Sequence, residues 1–129
     1  MKVLLVAINS KFIHSNLAVR YLKAYTEELD YESKIAEFSI NDSIENIVER
    51  IIEESPNVVT LSTYTWNVEY VRRVSNLIKI INPSIDIVYG GPEVSYDGAE
   101  FLRTSSGDYV IEGEGEETFR EFILHKLGI

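Results

Sequence analysis

Four short segments carry most of the side chains that could do chemistry. The first is Asn9-Ser10-Lys11-Phe12, running on through His14, Ser15 and Asn16. It is rich in hydrogen-bonding groups, although Ser and Asn are also the residues that cap helices. The second, Ser62-Thr63-Tyr64-Thr65-Trp66-Asn67, sets small hydroxyl residues beside two aromatics. Small residues let a ligand approach the backbone, and Tyr64 and Trp66 can shield or stack on a flat ring system. Equally, Trp66 can staple the next helix and Asn67 can cap it. The third, Gly90-Gly91-Pro92-Glu93, allows positive φ or close approach to the main chain. The fourth is Glu112-Gly113-Glu114-Gly115-Glu116-Glu117. Its Gly-x-Gly suggests a dinucleotide turn, but Thr118 stands at the third glycine position and the carboxylates would repel a pyrophosphate.

Several chemistries are excluded at once. No glycine precedes residue 90, so the first loop is neither a P-loop nor a first-turn dinucleotide cradle. No second His, Cys or Asp lies near His14 at metal-ligand spacing. His125 falls late in the last helix, where the helix dipole favours it. Glu93, Glu112, Glu114 and Glu116 could move a proton, but no nucleophile or base is paired with them. The segment is therefore expected to catalyse nothing alone, and no metal ligands are assigned.

The elements that would position these loops follow from hydrophobic periodicity. Val3–Ile8 is an unbroken apolar run, as in a strand covered on both faces. Leu17, Tyr21, Leu22, Tyr25 and Leu29 follow at helical spacing, with Ser15 or Asn16 as N-cap. Ser33–Phe38 is a second, weaker strand. Asn41-Asp42-Ser43 offers a cap for a helix with Ile44, Ile47, Val48, Ile51 and Ile52 on one face, stopped by Pro56. Val58–Ser62 is a third strand. Val68, Val71, Val74, Ile78 and Ile81 mark a third helix, ended by Pro83. Ile85–Tyr89 and Asp108–Glu112 read as strands, with a short helix near Asp97–Arg103 between them. Phe119, Phe122, Ile123 and Leu127 mark the last helix. Strand and helix thus alternate with short connections, the pattern of a three-layer α/β domain. The expected architecture is a five-stranded parallel sheet of flavodoxin-like (Rossmann-like) order 2-1-3-4-5, with Val3–Ile8 central. A ligand would lie beyond the carboxyl ends of the strands, near the switch between the first and third.

The chain has 129 residues, 45% of them hydrophobic and 26% charged, which suits one soluble globular domain spanning 1–129. The net charge of −9 argues against nucleic acid and against an anionic membrane surface. Cysteine is absent, which removes disulfides, thiolate zinc sites, iron–sulfur ligation and cysteine nucleophiles. Val3–Ile8 is shorter than the ~7–15 residues of a signal-peptide core and the ~20 of a spanning helix. The cytoplasm is the default expectation.

Taken in order, the four loops resemble the cobalamin-binding domain at the N-terminus of many radical S-adenosylmethionine enzymes. The matching residues are Asn9 with Leu17-Ala18-Val19-Arg20-Tyr21-Leu22, then Ser62-Thr63-Tyr64-Thr65-Trp66-Asn67. Gly90-Gly91-Pro92-Glu93 and Gly113-Glu114-Gly115-Glu116-Glu117-Thr118-Phe119 complete the set. The resemblance covers essentially the whole chain and implies cobalamin as cofactor. It puts Ser62-Thr63-Tyr64 and Gly90-Gly91 beside the nucleotide tail. In related modules Asp-x-His-x-x-Gly supplies a histidine as lower cobalt ligand. The corresponding positions here are Asn9, Lys11 and His14, so lower ligation by that route is not expected. The resemblance further implies a longer protein with a downstream catalytic domain using S-adenosylmethionine and a 4Fe-4S cluster. The alternative is a flavodoxin-like interaction or signalling domain without cofactor. A phosphoacceptor receiver would need acids where this chain has Asn9-Ser10 and Ser62-Thr63.

Overall fold

A computed structural model describes residues 1–10, 17–95, 97–113 and 115–129. The elements run β1 (Lys2–Asn9), α1 (Leu17–Tyr25), β2 (Glu32–Ser39), α2 (Ile44–Glu53), β3 (Val58–Ser62), α3 (Val68–Ile81), β4 (Asp86–Gly90), α4 (Gly98–Arg103), β5 (Tyr109–Val110) and α5 (Glu116–Lys126). All five strands are parallel and ordered β2-β1-β3-β4-β5, as the alternation of elements implied. Val3–Ile8 lies inside the sheet between β2 and β3, one place from its middle strand.

Each residue from Val3 to Ile8 is at most 2% exposed. Leu4, Val6 and Ile8 face one core, with α2, α3 and Phe101 of α4. Val3, Leu5 and Ala7 face the other, with Val19 of α1 and Phe119 and Ile123 of α5. Successive strand side chains point to opposite faces, so one apolar run serves both layers.

The helix ends follow local chemistry. Ser43 caps α2, its side chain accepting from the Asn46 N–H. Neighbouring Asp42 instead accepts from the Ser39 N–H at 2.8 Å, closing the turn out of β2. Asp97 caps α4 by accepting from the Glu100 N–H. The expected fifth strand shrinks to Tyr109–Val110; the Asp108 and Ile111 N–H groups still donate to the Ile87 and Tyr89 carbonyls of β4, but at the strand's start a carboxylate stands in for a ladder carbonyl. Asp108 Oδ2 accepts from the Ile87 N–H, and Glu112 Oε1 accepts from the Gly98 N–H. A single 3-10 turn, Pro92–Val94, follows β4; its three residues are too few to show a period in sequence. The proposed N-caps of α1, Ser15 and Asn16, lie outside the described residues.

One buried polar chain ties β4 to α3. The Gly107 N–H donates to the Tyr89 hydroxyl at 2.9 Å. Tyr89 donates to Ser75 Oγ at 2.7 Å, and Ser75 donates to the Arg72 carbonyl at 3.0 Å. Burial pushes the Tyr89 pKa up, against the effect of these bonds, so the phenol stays neutral and serves as both donor and acceptor. Tyr89→Phe leaves the Gly107 N–H without its acceptor and Ser75 without its donor. The expected loss is about 1–3 kcal/mol of stability, read by urea unfolding with an unchanged m-value.

Candidate functional site

Beyond the carboxyl ends of β3, β4 and β5 the sheet opens into a cavity of about 530 Å³. That falls within the ~300–1,000 Å³ of small-molecule sites. Its floor is set by the period of the strands. Thr60 and Ser62 of β3, and Val88 and Gly90 of β4, line it, and these are alternate positions on one face. Leu22 of α1, Ile111, and Phe119 of α5 supply apolar walls. Small residues on the sheet thus leave room where α1 and α5 would otherwise pack down. A wider depression of about 800 Å³ adjoins it, sharing Tyr21, Gly115 and Glu116 and edged by Tyr25 and Glu117. There the Tyr25 hydroxyl donates to Glu117 Oε2 at 2.5 Å, and that bond raises the Tyr25 pKa.

The loops after β3 and β4 are stitched together at the mouth. The Thr63 N–H donates to the Gly90 carbonyl at 2.6 Å, and the Glu93 N–H donates to the Thr63 carbonyl at 3.2 Å. Thr65 Oγ1 donates to Glu93 Oε2 at 3.1 Å. This crossing explains one glycine and sets the other apart. At Gly91 φ is +100°, and an added Cβ would lie 2.5 Å from the Thr63 carbonyl oxygen. The fold itself therefore requires glycine there. At Gly90 an added Cβ would meet nothing within 4 Å. Among the described residues no packing demands a glycine at that position, which borders the cavity.

Asn67 holds the loop from beneath. Its side chain is buried and makes no helix-cap bond, contrary to the capping role its position suggested. Nδ2 donates to the Ile8 carbonyl at 2.9 Å and to the Ser62 carbonyl at 3.1 Å. Oδ1 accepts from the Tyr64 N–H at 2.8 Å. The ends of β1 and β3 and the start of the loop are thus joined through one amide. Above it Tyr64 and Trp66 stack, 4.5 Å between ring centroids and 7° from parallel. Trp66 is 53% exposed, so it is not a core staple; its stack forms a flat surface beside the cavity.

Of the residues singled out in sequence, Ser62, Tyr64, Gly90, Gly91, Pro92, Gly113 and Gly115 line the cavity together. Thr63, Thr65 and Glu93 stitch its rim. Glu112 anchors the start of α4. Asn9 ends β1 and its carbonyl accepts from the Ile40 N–H; Ser10 is exposed. Lys11, Phe12, His14, Ser15, Asn16 and Glu114 lie outside the described residues. Sequence reading missed Thr60, Ser95 and Ile111 in the lining, and the buried role of Asn67. Thr60 could have been found: it precedes Ser62 by one strand period on the same face. Among the described residues no cluster of His, Asp or Glu could hold a metal ion, and no helix is long and apolar enough to cross a membrane.

A doubly wound sheet with a ligand-sized groove at its strand carboxyl ends defines a small-molecule-binding α/β domain. A family model described as the B12 binding domain matches residues 3–123, and the chain belongs to that family. Methyltransferases are among the relatives. A 2-(S-pantetheinyl)-carbapenam-3-carboxylate methyltransferase of Streptantibioticus cattleyicolor is 38% identical over 73 residues, covering 56% of this chain and 11% of its own length. The cobalamin-dependent radical SAM methyltransferase TokK of Streptomyces tokunonensis is 34% identical over 85 residues, covering 65% and 12%. Among solved structures, the cobalamin-dependent S-adenosylmethionine radical enzyme OxsB with aqua-cobalamin and S-adenosylmethionine bound superposes with a TM-score of 0.80. It is 21% identical, over 98% of this chain and 19% of that one. The chain thus spans a small fraction of these relatives.

The two glycines should separate under alanine substitution. Gly91→Ala forces both a positive φ and a clash with main chain, and is expected to cost at least about 1–3 kcal/mol. Gly90→Ala should stay within about 0.5 kcal/mol of the parent. Urea unfolding of the two variants checks the difference.

Proposed function

We propose that the groove receives the nucleotide tail of cobalamin, with the Tyr64–Trp66 stack offered to the flat part of the cofactor. The observation that carries this reading is Gly90, a glycine that packing among the described residues does not require, at the edge of a cavity floored by Thr60, Ser62 and Val88. The chemistry of the lining agrees. Apolar walls from Leu22, Ile111 and Phe119 suit a heteroaromatic base, while the hydroxyls of Thr60, Ser62 and Ser95 offer polar contacts at the rim and floor. When bound, the cofactor supplies a cobalt centre able to carry an alkyl group. The chain's part is to bind, orient and shield.

The same reading holds the cofactor without a histidine below the metal. Lys11 stands where the resemblance puts that ligand. It also makes this segment one part of a longer radical S-adenosylmethionine protein, a reading supported by the relatives, with the cluster's thiolates supplied outside these 129 residues. The strand-end face would then turn toward the downstream catalytic domain.

Titration with hydroxocobalamin tests the binding site. The parent should bind with a spectrum lacking a protein-histidine signature, and His14→Ala should leave that spectrum unchanged. Gly90→Val should weaken binding by tenfold or more, about 1.4 kcal/mol, with its thermal midpoint preserved. Equal binding by Gly90→Val would reject the groove as the tail site. A second measurement concerns activity: the 129-residue chain with strong reductant should not cleave S-adenosylmethionine, and cleavage would refute the division of labour.

A further inference from the structure

A second groove lies on the opposite face of the sheet from the cofactor cavity. It has a volume of about 440 Å³ and runs between α2 and α3, lined by Val48 and Ile52 on one side and Leu77 and Ile81 on the other. Ile81 is 53% exposed. The groove extends toward the carboxyl ends of both helices. Glu54, just past α2, pairs with Lys2 at the start of β1 at 3.0 Å, so this end of the groove lies beside the strand amino ends. It is therefore distant from the cavity on two counts, the face and the end of the sheet.

Its rim is charged in an uneconomical way. Glu45, Glu49 and Glu53 border it at i, i+4 and i+8 of α2, so they form one row along the helix. Like charges at this spacing repel. Glu53 closes the helix, at the end where the dipole disfavours an anion. None of the three makes an ion pair among the described residues, whereas Glu54 is held by both Lys2 and Lys34. The cation of α2, Arg50, sits over the Phe38 ring at 5.2 Å to the centroid. Arg73 continues the Leu77–Ile81 row toward the start of α3 and makes no ion pair with these glutamates among the described residues. An apolar trough beside an unpaired row of carboxylates is complementary to one kind of surface.

We propose that the α2–α3 groove docks a basic amphipathic helix of a partner, with apolar residues at i, i+3, i+4 and i+7 and Lys or Arg flanking them. Such a helix covers Ile52, Leu77 and Ile81 while its cations meet Glu45, Glu49 and Glu53. A second copy of this chain is the poorer occupant, since a symmetric contact through this face would set one glutamate row against another. Docking here leaves the strand-end cavity open, so the partner and cobalamin bind together.

The test uses the 129-residue chain and a synthetic helical peptide of that pattern, Leu and Ile on one face with Lys at i and i+4. Fluorescence anisotropy should show saturable 1:1 binding, weakening as salt rises and unaffected by saturating hydroxocobalamin. Ile81→Glu should abolish binding. Glu49→Lys should weaken it roughly tenfold, as expected for the loss and reversal of an exposed ion pair. Both positions are exposed, so thermal midpoints should hold, and cobalamin binding by either variant should match the parent. Equal affinity for a scrambled peptide of identical composition would mean undirected charge attraction and would overturn the proposal. So would no binding at all, or self-association of the chain that Ile81→Glu abolishes, which would make the groove a homodimer contact.

Discussion

Six consecutive residues of β1 are removed from water on both faces of the sheet, and the remaining architecture answers to that burial. A strand covered on both sides needs a layer of helices above and below, and short connections supply them by right-handed crossovers between parallel strands. Once the strands are parallel, their carboxyl ends and the loops that leave them gather at one end. The site is at that end because the sheet is parallel, and the sheet is parallel because its interior strands have no polar face.

What distinguishes this domain from a fully packed one is where small residues replace large ones. Thr60, Ser62 and Gly90 interrupt the apolar alternation on one face of β3 and β4. Leu61 and Tyr89, on the opposite face, are at most 1% exposed. The hollow would be of little use if its rim could collapse into it. Two contacts oppose that. The crossing at Gly91 brings the loop after β4 against the Thr63 main chain. The buried Asn67 amide satisfies two strand-end carbonyls and one loop N–H, the bond to Ile8 fully buried and the other two partly so. Removing the amide would leave the buried Ile8 carbonyl without this partner, which costs more than the bond contributes when made.

The fold was legible because its signals are redundant. The third strand and third helix appear at Val58–Ser62 and Val68–Ile81, where apolar spacing and Pro83 put them. The fifth strand is shorter than its sequence suggests because the Asp108 carboxylate, in place of a main-chain carbonyl, takes the Ile87 N–H of β4. Such long-range bonds leave no periodic trace. The site was legible in its loops, where glycine and aromatic residues are conspicuous, and poorly legible on its floor. Thr60 is one strand period before Ser62, a weak signal by itself, and the register that sets it opposite Val88 of β4 makes it part of the floor. For Asn67 the local pattern offers a helix cap as one of two alternatives, since Asn is favoured before a helix. Its actual partners include Ile8, 59 residues away, and a contact of that separation is invisible to local pattern.

The two faces of the sheet divide the work between them. On the α2–α3 face, α2 buries Ile44, Ile47, Val48 and Ile51, α3 buries Val71, Val74 and Ile78, and Tyr89 closes its polar chain to Ser75 and Gly107. On the other face, the described part of α1 buries Val19, and α5 buries Phe119 and Ile123. Burial of large aliphatic side chains is the main stabilising contribution, so the first face carries more of it. The second face is where the cavity opens, and lining atoms there forgo contacts they would have in a filled core. A domain that must keep a groove free of its own side chains can do so on one side of a sheet only if the other side is packed well enough to hold the strands in register. The exchange of large residues for Thr60, Ser62 and Gly90 is tolerable here because each stands back to back with that denser layer, across a sheet whose interior strands are buried on both sides.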